Sequence, residues 1–67
     1  MTPEQQAAYI IAQSACMHAE IEGMRSANLA AAVNADLPPF KKEDFDALPA
    51  RYGLDHNSVV SFFTGRG

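Results

Sequence analysis

Cys16, His18, Glu20 and Glu22 are the residues that could do chemistry, and together they would suit a cysteine nucleophile or a metal site. Their spacing disperses them. On a helix Cys16 shares a face with Glu20, and His18 with Glu22, whereas Cys16 and His18, two apart, point in different directions. No Cys–His nucleophile pair results. The His18–Glu22 pair has no second histidine or carboxylate placed to complete a metal site, so it reads as a surface pair. Cys16 reads as a small buried hydrophobe. Asp55 and His56 suggest acid–base chemistry, but a helix N-cap role accounts for Asp55, and a histidine in the first turn is ordinarily solvated. Gly65-Arg66-Gly67 has no following helix with which to cradle a phosphate, and reads as a frayed tail. The expectation is a non-enzymatic protein with no catalytic residues, no metal and no cofactor.

Most of these residues lie on one long predicted helix, about residues 3–33. Thr2 is its N-cap, Pro3 occupies the first helical position, and Gln5 completes a Thr-x-x-Gln capping box. Asn34, which tolerates a left-handed C′ conformation, ends it ahead of Pro38-Pro39. Such a helix holds about 31 residues and spans about 46 Å. Apolar or small residues recur at alternating intervals of three and four, with Ala7, Ser14, Ile21 and Asn28 at a and Ile10, Met17, Met24 and Ala31 at d. A ridge of mostly small residues at intervals of four runs beside this seam through Ala15, Ala19, Gly23 and Ala27. Gly23 in mid-helix costs about 0.5–1 kcal/mol relative to Ala, which close packing at that point would offset. Leu29, Val33 and Leu37 lie off the seam and are expected to receive the C-terminal segment.

Residues 36–41, with Pro38-Pro39, form a rigid connector that reverses the chain. A second helix is expected over about 42–52, with Phe45, Leu48 and Tyr52 on one face, Gly53 as C-cap and a kink or break at Pro49. A third runs over about 56–64 with Asp55 as N-cap and Gly65 at C′. The chain therefore reads as a single all-α domain, residues 1–67: one long helix with a short helical hairpin folded on its C-terminal half. Helices of about 11 and 9 residues span only about 16 and 14 Å, too little to sheathe the first. The Tyr9 to Met17 region is thus expected to meet another chain. The reading is a homodimer through Ile10, Ser14, Met17, Ile21, Met24 and Asn28, mainly antiparallel with parallel pairing as the alternative. Asn28 would set the register across the seam.

The 67 residues carry a net charge of −3 and a pI near 5.0, which gives no footprint for nucleic acid or an anionic membrane. Cys16 is the single cysteine, so no disulfide within the chain can staple so small a core. With no signal-peptide pattern and no apolar run of membrane-spanning length, the expectation is a cytoplasmic protein.

Leu48 to Val59, with Gly53 at the turn and Val59 and Phe62 at core positions, resembles the helix-turn-helix of small prokaryotic regulators. That resemblance implies a third helix in the major groove, with His56, Asn57, Ser58 and Ser61 at base edges and Arg51 and Arg66 near phosphates. Pro49 stands where the motif wants a small residue and Phe63 interrupts the reading face, so a plain helical hairpin is the competing reading. Residues Ala19–Asn28 and Tyr52–Phe63 look like small proteins encoded by tailed phages. This implies an accessory protein in the host cytoplasm, acting on a host protein. The favoured function is a homodimeric interaction protein, the alternative a dimeric DNA-binding regulator.

Overall fold

A computed structural model describes residues 1–64. The first helix, α1, runs over Pro3–Val33, 31 residues. Its start is a full capping box: Gln5 N–H donates to Thr2 Oγ1 at 3.1 Å and Thr2 N–H donates to Gln5 Oε1 at 2.9 Å. At the other end Asn34 is the C-cap, with φ −90°, and Ala35 takes the left-handed conformation, φ 59°. Asp36 N–H donates to the Ala31 carbonyl at 2.8 Å and Ala35 N–H to that of Ala32 at 3.1 Å. This is a Schellman closure one residue later than Asn34 suggests, because both bonds need the turn residue beyond the cap.

Three short helices follow: α2 (Lys42–Asp46), α3 (Leu48–Arg51) and α4 (His56–Thr64). The single helix expected over 42–52 is thus two pieces broken at Ala47. Within a continuous helix Pro49 would owe an N–H to the Phe45 carbonyl and its ring would clash there. Near the start of a new helix both problems vanish, since first-turn N–H groups have no intrahelical acceptor. Gly53, at φ 69°, closes α3, with Leu54 N–H donating to the Pro49 carbonyl at 2.7 Å. Asp55 caps α4 through a 3.4 Å bond from Ser58 N–H to Oδ2. The expected C′ residue, Gly65, and the Gly65–Gly67 tail lie outside the described residues.

The C-terminal segment runs antiparallel to α1 over nearly its whole length. Phe40 lies opposite Asn28, Tyr52 opposite Gln13 and Glu20, and Phe62 opposite Gln6 and Tyr9. The hairpin is therefore not confined to the C-terminal half of α1. Helical lengths alone undercount its reach, because the non-helical residues between α3 and α4 can advance about 3.3 Å each, against about 1.5 Å in a helix.

The result is a plank, 49 × 18 × 10 Å, two helices wide and one thick. Its radius of gyration is 15.3 Å, where a compact chain of this length would have about 11 Å. A single layer encloses little: only Met24 and Leu48, 5% and 0% exposed, form the buried apolar core of the described residues.

Candidate interaction surface

The 3–4 seam is closed by the chain itself. Met24 is buried, and Ile10, Met17, Ile21 and Asn28 are half-buried on the side of α1 facing the C-terminal segment, whereas Ser14 is exposed. Asn28 does set a register, but an intramolecular one: Phe40 N–H donates to its Oδ1 and its Nδ2 donates to the Phe40 carbonyl, both at 3.0 Å.

A second row, Gln6, Gln13 and Glu20, completes the docking. Gln6 Nε2 donates to the Phe62 carbonyl at 3.3 Å and Gln13 Nε2 to the Tyr52 carbonyl at 3.1 Å. Tyr52 OH donates to Glu20 Oε1 at 2.6 Å, and Arg51 pairs with the other oxygen of that carboxylate. The Tyr52 hydrogen bond first, then Arg51, holds the Glu20 carboxyl below its ordinary value, and the same bond pushes the Tyr52 phenol up. The signal for this row was a strict interval of seven, which puts three amide or carboxyl side chains beside the apolar seam.

Between α1 and α4 lies an open groove of about 470 Å³, lined by Tyr9, Ile10, Tyr52, Gly53, Asn57, Ser58, Ser61 and Phe62. This fixes the DNA-reading candidates. Ser58 and Ser61 are half-buried in the groove wall, Asn57 is exposed at its edge, and His56 is exposed. Arg51 is engaged with Glu20, and Arg66 lies outside the described residues. The five that are described therefore do not assemble into one outward row.

The opposite side of α1 carries a second alternation of four and three. Ala8, Ala12, Ala15 and Ala19 occupy its first half and Glu22, Ser26, Leu29 and Val33 its second, and all eight are exposed. Ile11 (69% exposed) flanks the row and Leu37 (90%) lies beyond its end. Leu29, Val33 and Leu37 thus do not receive the C-terminal segment, which docks on the seam instead. Cys16 is exposed rather than buried. A side chain at Gly23 would meet nothing within 4 Å, so no packing among the described residues explains that glycine.

Among the described residues no group of three or more His, Cys, Asp or Glu could hold a metal ion. No described helix is long and apolar enough to cross a membrane. What the arrangement offers is a helix apolar on both sides, one side covered by its own chain and the other bare. Set against known family models, curated proteins and solved structures, the chain matches none.

Proposed function

We propose that this chain is a non-enzymatic helical interaction protein whose working surface is the outer face of α1. The observation that carries the reading is the exposed row from Ala8 to Val33, left bare after the chain has used its other apolar side to fold. A helix with apolar residues on both sides is normally covered on both sides, and exposed Ala8, Ala12, Ala15 and Ala19 followed by Leu29 and Val33, interrupted at Glu22 and Ser26, support a docking surface on so thin a molecule. The setting, an accessory protein of a tailed phage made in a bacterial cytoplasm, belongs to the same proposal and rests on the resemblance of Ala19–Asn28 and Tyr52–Phe63.

The test is site-specific photo-cross-linking in bacterial cells expressing the full chain. A photoreactive residue at Ala15 or Leu29 should give a few discrete protein adducts, and one at exposed Lys42 should not. Absence of adducts from both outer-face positions, or the same adducts from Lys42, would overturn the reading.

A further inference from the structure

We infer that the outer face of α1 is covered by a second copy of this chain, laid antiparallel with the two-fold axis crossing between Glu20 and Ile21. The inference rests on that face being the working surface, and it names the occupant.

The positions of the row, though not its residues, are symmetric about this point. An antiparallel copy sets Ala8 against the partner's Val33, Ala12 against the partner's Leu29 and Ala15 against the partner's Ser26, and a two-fold axis repeats each pair in reverse. The alanine half of one helix thereby meets the larger half of the other. Small residues let the backbones approach and Leu29 and Val33 fill the space, which keeps the helices at an even separation of about 8 Å. A parallel pair would stack alanine on alanine at one end and valine on valine at the other, splaying the helices. Antiparallel packing also opposes the helix dipoles.

Size and need agree with this occupant. The two helices overlap from Ala8 to Val33, about 39 Å; at about 11 Å wide this buries about 430 Å² per copy and about 860 Å² per pair, the size of a weak, reversible interface. Among the described residues only Met24 and Leu48 are buried, and Cys16, the single cysteine, has no disulfide partner within the chain; small domains built this way usually need association to persist.

Glu22 opposes the pairing. The two copies of it flank the axis about 4.5 Å apart along the helix direction. Each is accompanied by its own Arg25, at 3.5 Å, which offsets part of the repulsion. Removing that carboxylate should tighten the pair.

The full chain is examined by sedimentation over a concentration series, with disulfide trapping in a Cys16→Ser background. The native chain should sediment at twice 7.2 kDa and dissociate on dilution through concentrations on the order of micromolar, as an interface of this size allows. Ala15→Arg and, independently, Ser26→Arg should each give a monomer with undiminished helical circular dichroism. Both sites are exposed, and arginine is a good helix former. Glu22→Ala should shift the midpoint to lower concentration. Ala15→Cys mixed with Ser26→Cys should form the mixed disulfide, while each alone stays reduced because like positions lie about 16 Å apart along the axis.

A native chain that stays at 7.2 kDa at millimolar concentration overturns the inference. So does a dimer indifferent to both arginines, or rapid oxidation of Ala15→Cys alone, which marks a parallel pair. Adducts from Ala15 in cells to a different protein, with a monomer in sedimentation, would overturn the self-pairing while leaving the outer face as the working surface. Absence of every adduct would remove both.

Discussion

Asn28 holds Phe40 by both of that residue's backbone groups, accepting from its N–H and donating to its carbonyl at 3.0 Å each. One side chain thereby fixes where the Pro38-Pro39 connector ends and where the returning segment meets α1. Asn28→Ala leaves a half-buried N–H without an acceptor and should cost about 1–2 kcal/mol, a fall in melting temperature of about 4–8 °C per kcal/mol for a domain this small. Asn28→Asp keeps the acceptor and loses the donor, so its melting temperature should lie between the two. Thermal unfolding checks both, and faster hydrogen exchange at the Phe40 amide should accompany the alanine variant.

Ala35 sits at φ 59° with a Cβ that this conformation disfavours. Ala35→Gly relieves the strain, loses part of the gain to unfolded-state entropy, and should raise stability by about 0.5–1 kcal/mol. Gly53→Ala is the mirror experiment. Its Cβ would meet nothing within 4 Å, yet φ is +69°, so backbone strain alone should cost about 1 kcal/mol. Urea unfolding of the two variants should move the midpoint in opposite directions.

These two residues also separate what was legible in the sequence from what was not. The capping box at Thr2 and Gln5 and the glycine at 53 are local devices, and they place the start of α1 and the end of α3 where the residue types say. Ala35 carries no such signal, because its conformation is imposed by the closure around it. The seam shows a deeper ambiguity. A 3–4 apolar period marks a helix face that will be covered, but it does not say whether the covering helix comes from the same chain. Counting helical residues alone made the C-terminal segment too short, and the seam therefore read as an intermolecular one. The partners of Gln6, Gln13 and Glu20 depend on residues up to 56 positions away, which no local pattern encodes.

Glu20 makes the fold sensitive to acid. Its carboxyl is held below the ordinary 4.5 by Tyr52 and then Arg51. Stability from a depressed carboxyl is fully present above its unfolded pKa and is lost as pH falls through the folded one. The melting temperature should thus hold from neutrality to about pH 5 and decline below 4.5. Tyr52 works in the other direction. Its phenol is raised above 10.0, so its contribution is present below that value and lost as pH climbs through the raised one. Glu20→Gln should flatten the acid limb and Tyr52→Phe should reduce both limbs, with pH-resolved thermal melts as the measurement.

Leu48 is fully enclosed, and Met24 is the one other buried apolar residue among the described residues. Leu48→Ala should cost about 2–4 kcal/mol, comparable with the whole stability that a core of this size supplies. The variant should lose most of its helical signal at 37 °C. Leu37→Ser provides the contrast: at 90% exposure it should change stability by no more than about 0.5 kcal/mol. A small effect of Leu48→Ala would mean that the enclosed core is not what holds the plank together.

The groove between α1 and α4 bears on DNA binding. Phosphate neutralisation by Lys and Arg supplies most of the affinity of a small DNA-binding domain. Here Arg51 is paired with Glu20, Arg25 with Glu22 and Lys42 with Asp46, on a chain of net charge −3. Ser58 and Ser61, which would have to reach base edges, line the groove wall beside Tyr9 and Phe62. A gel shift with random and genomic DNA at low salt should therefore give no retarded band. Glu20→Gln, which releases Arg51, should not create one either, because a single freed cation changes the salt dependence of binding by only about one counterion. A sequence-selective band with the native chain, lost in Asn57→Ala, would revive α4 as a reading helix. It would also require α4 to swing away from α1 on binding, visible as loss of the 5.3 Å ring contact between Tyr9 and Phe62 in the free protein.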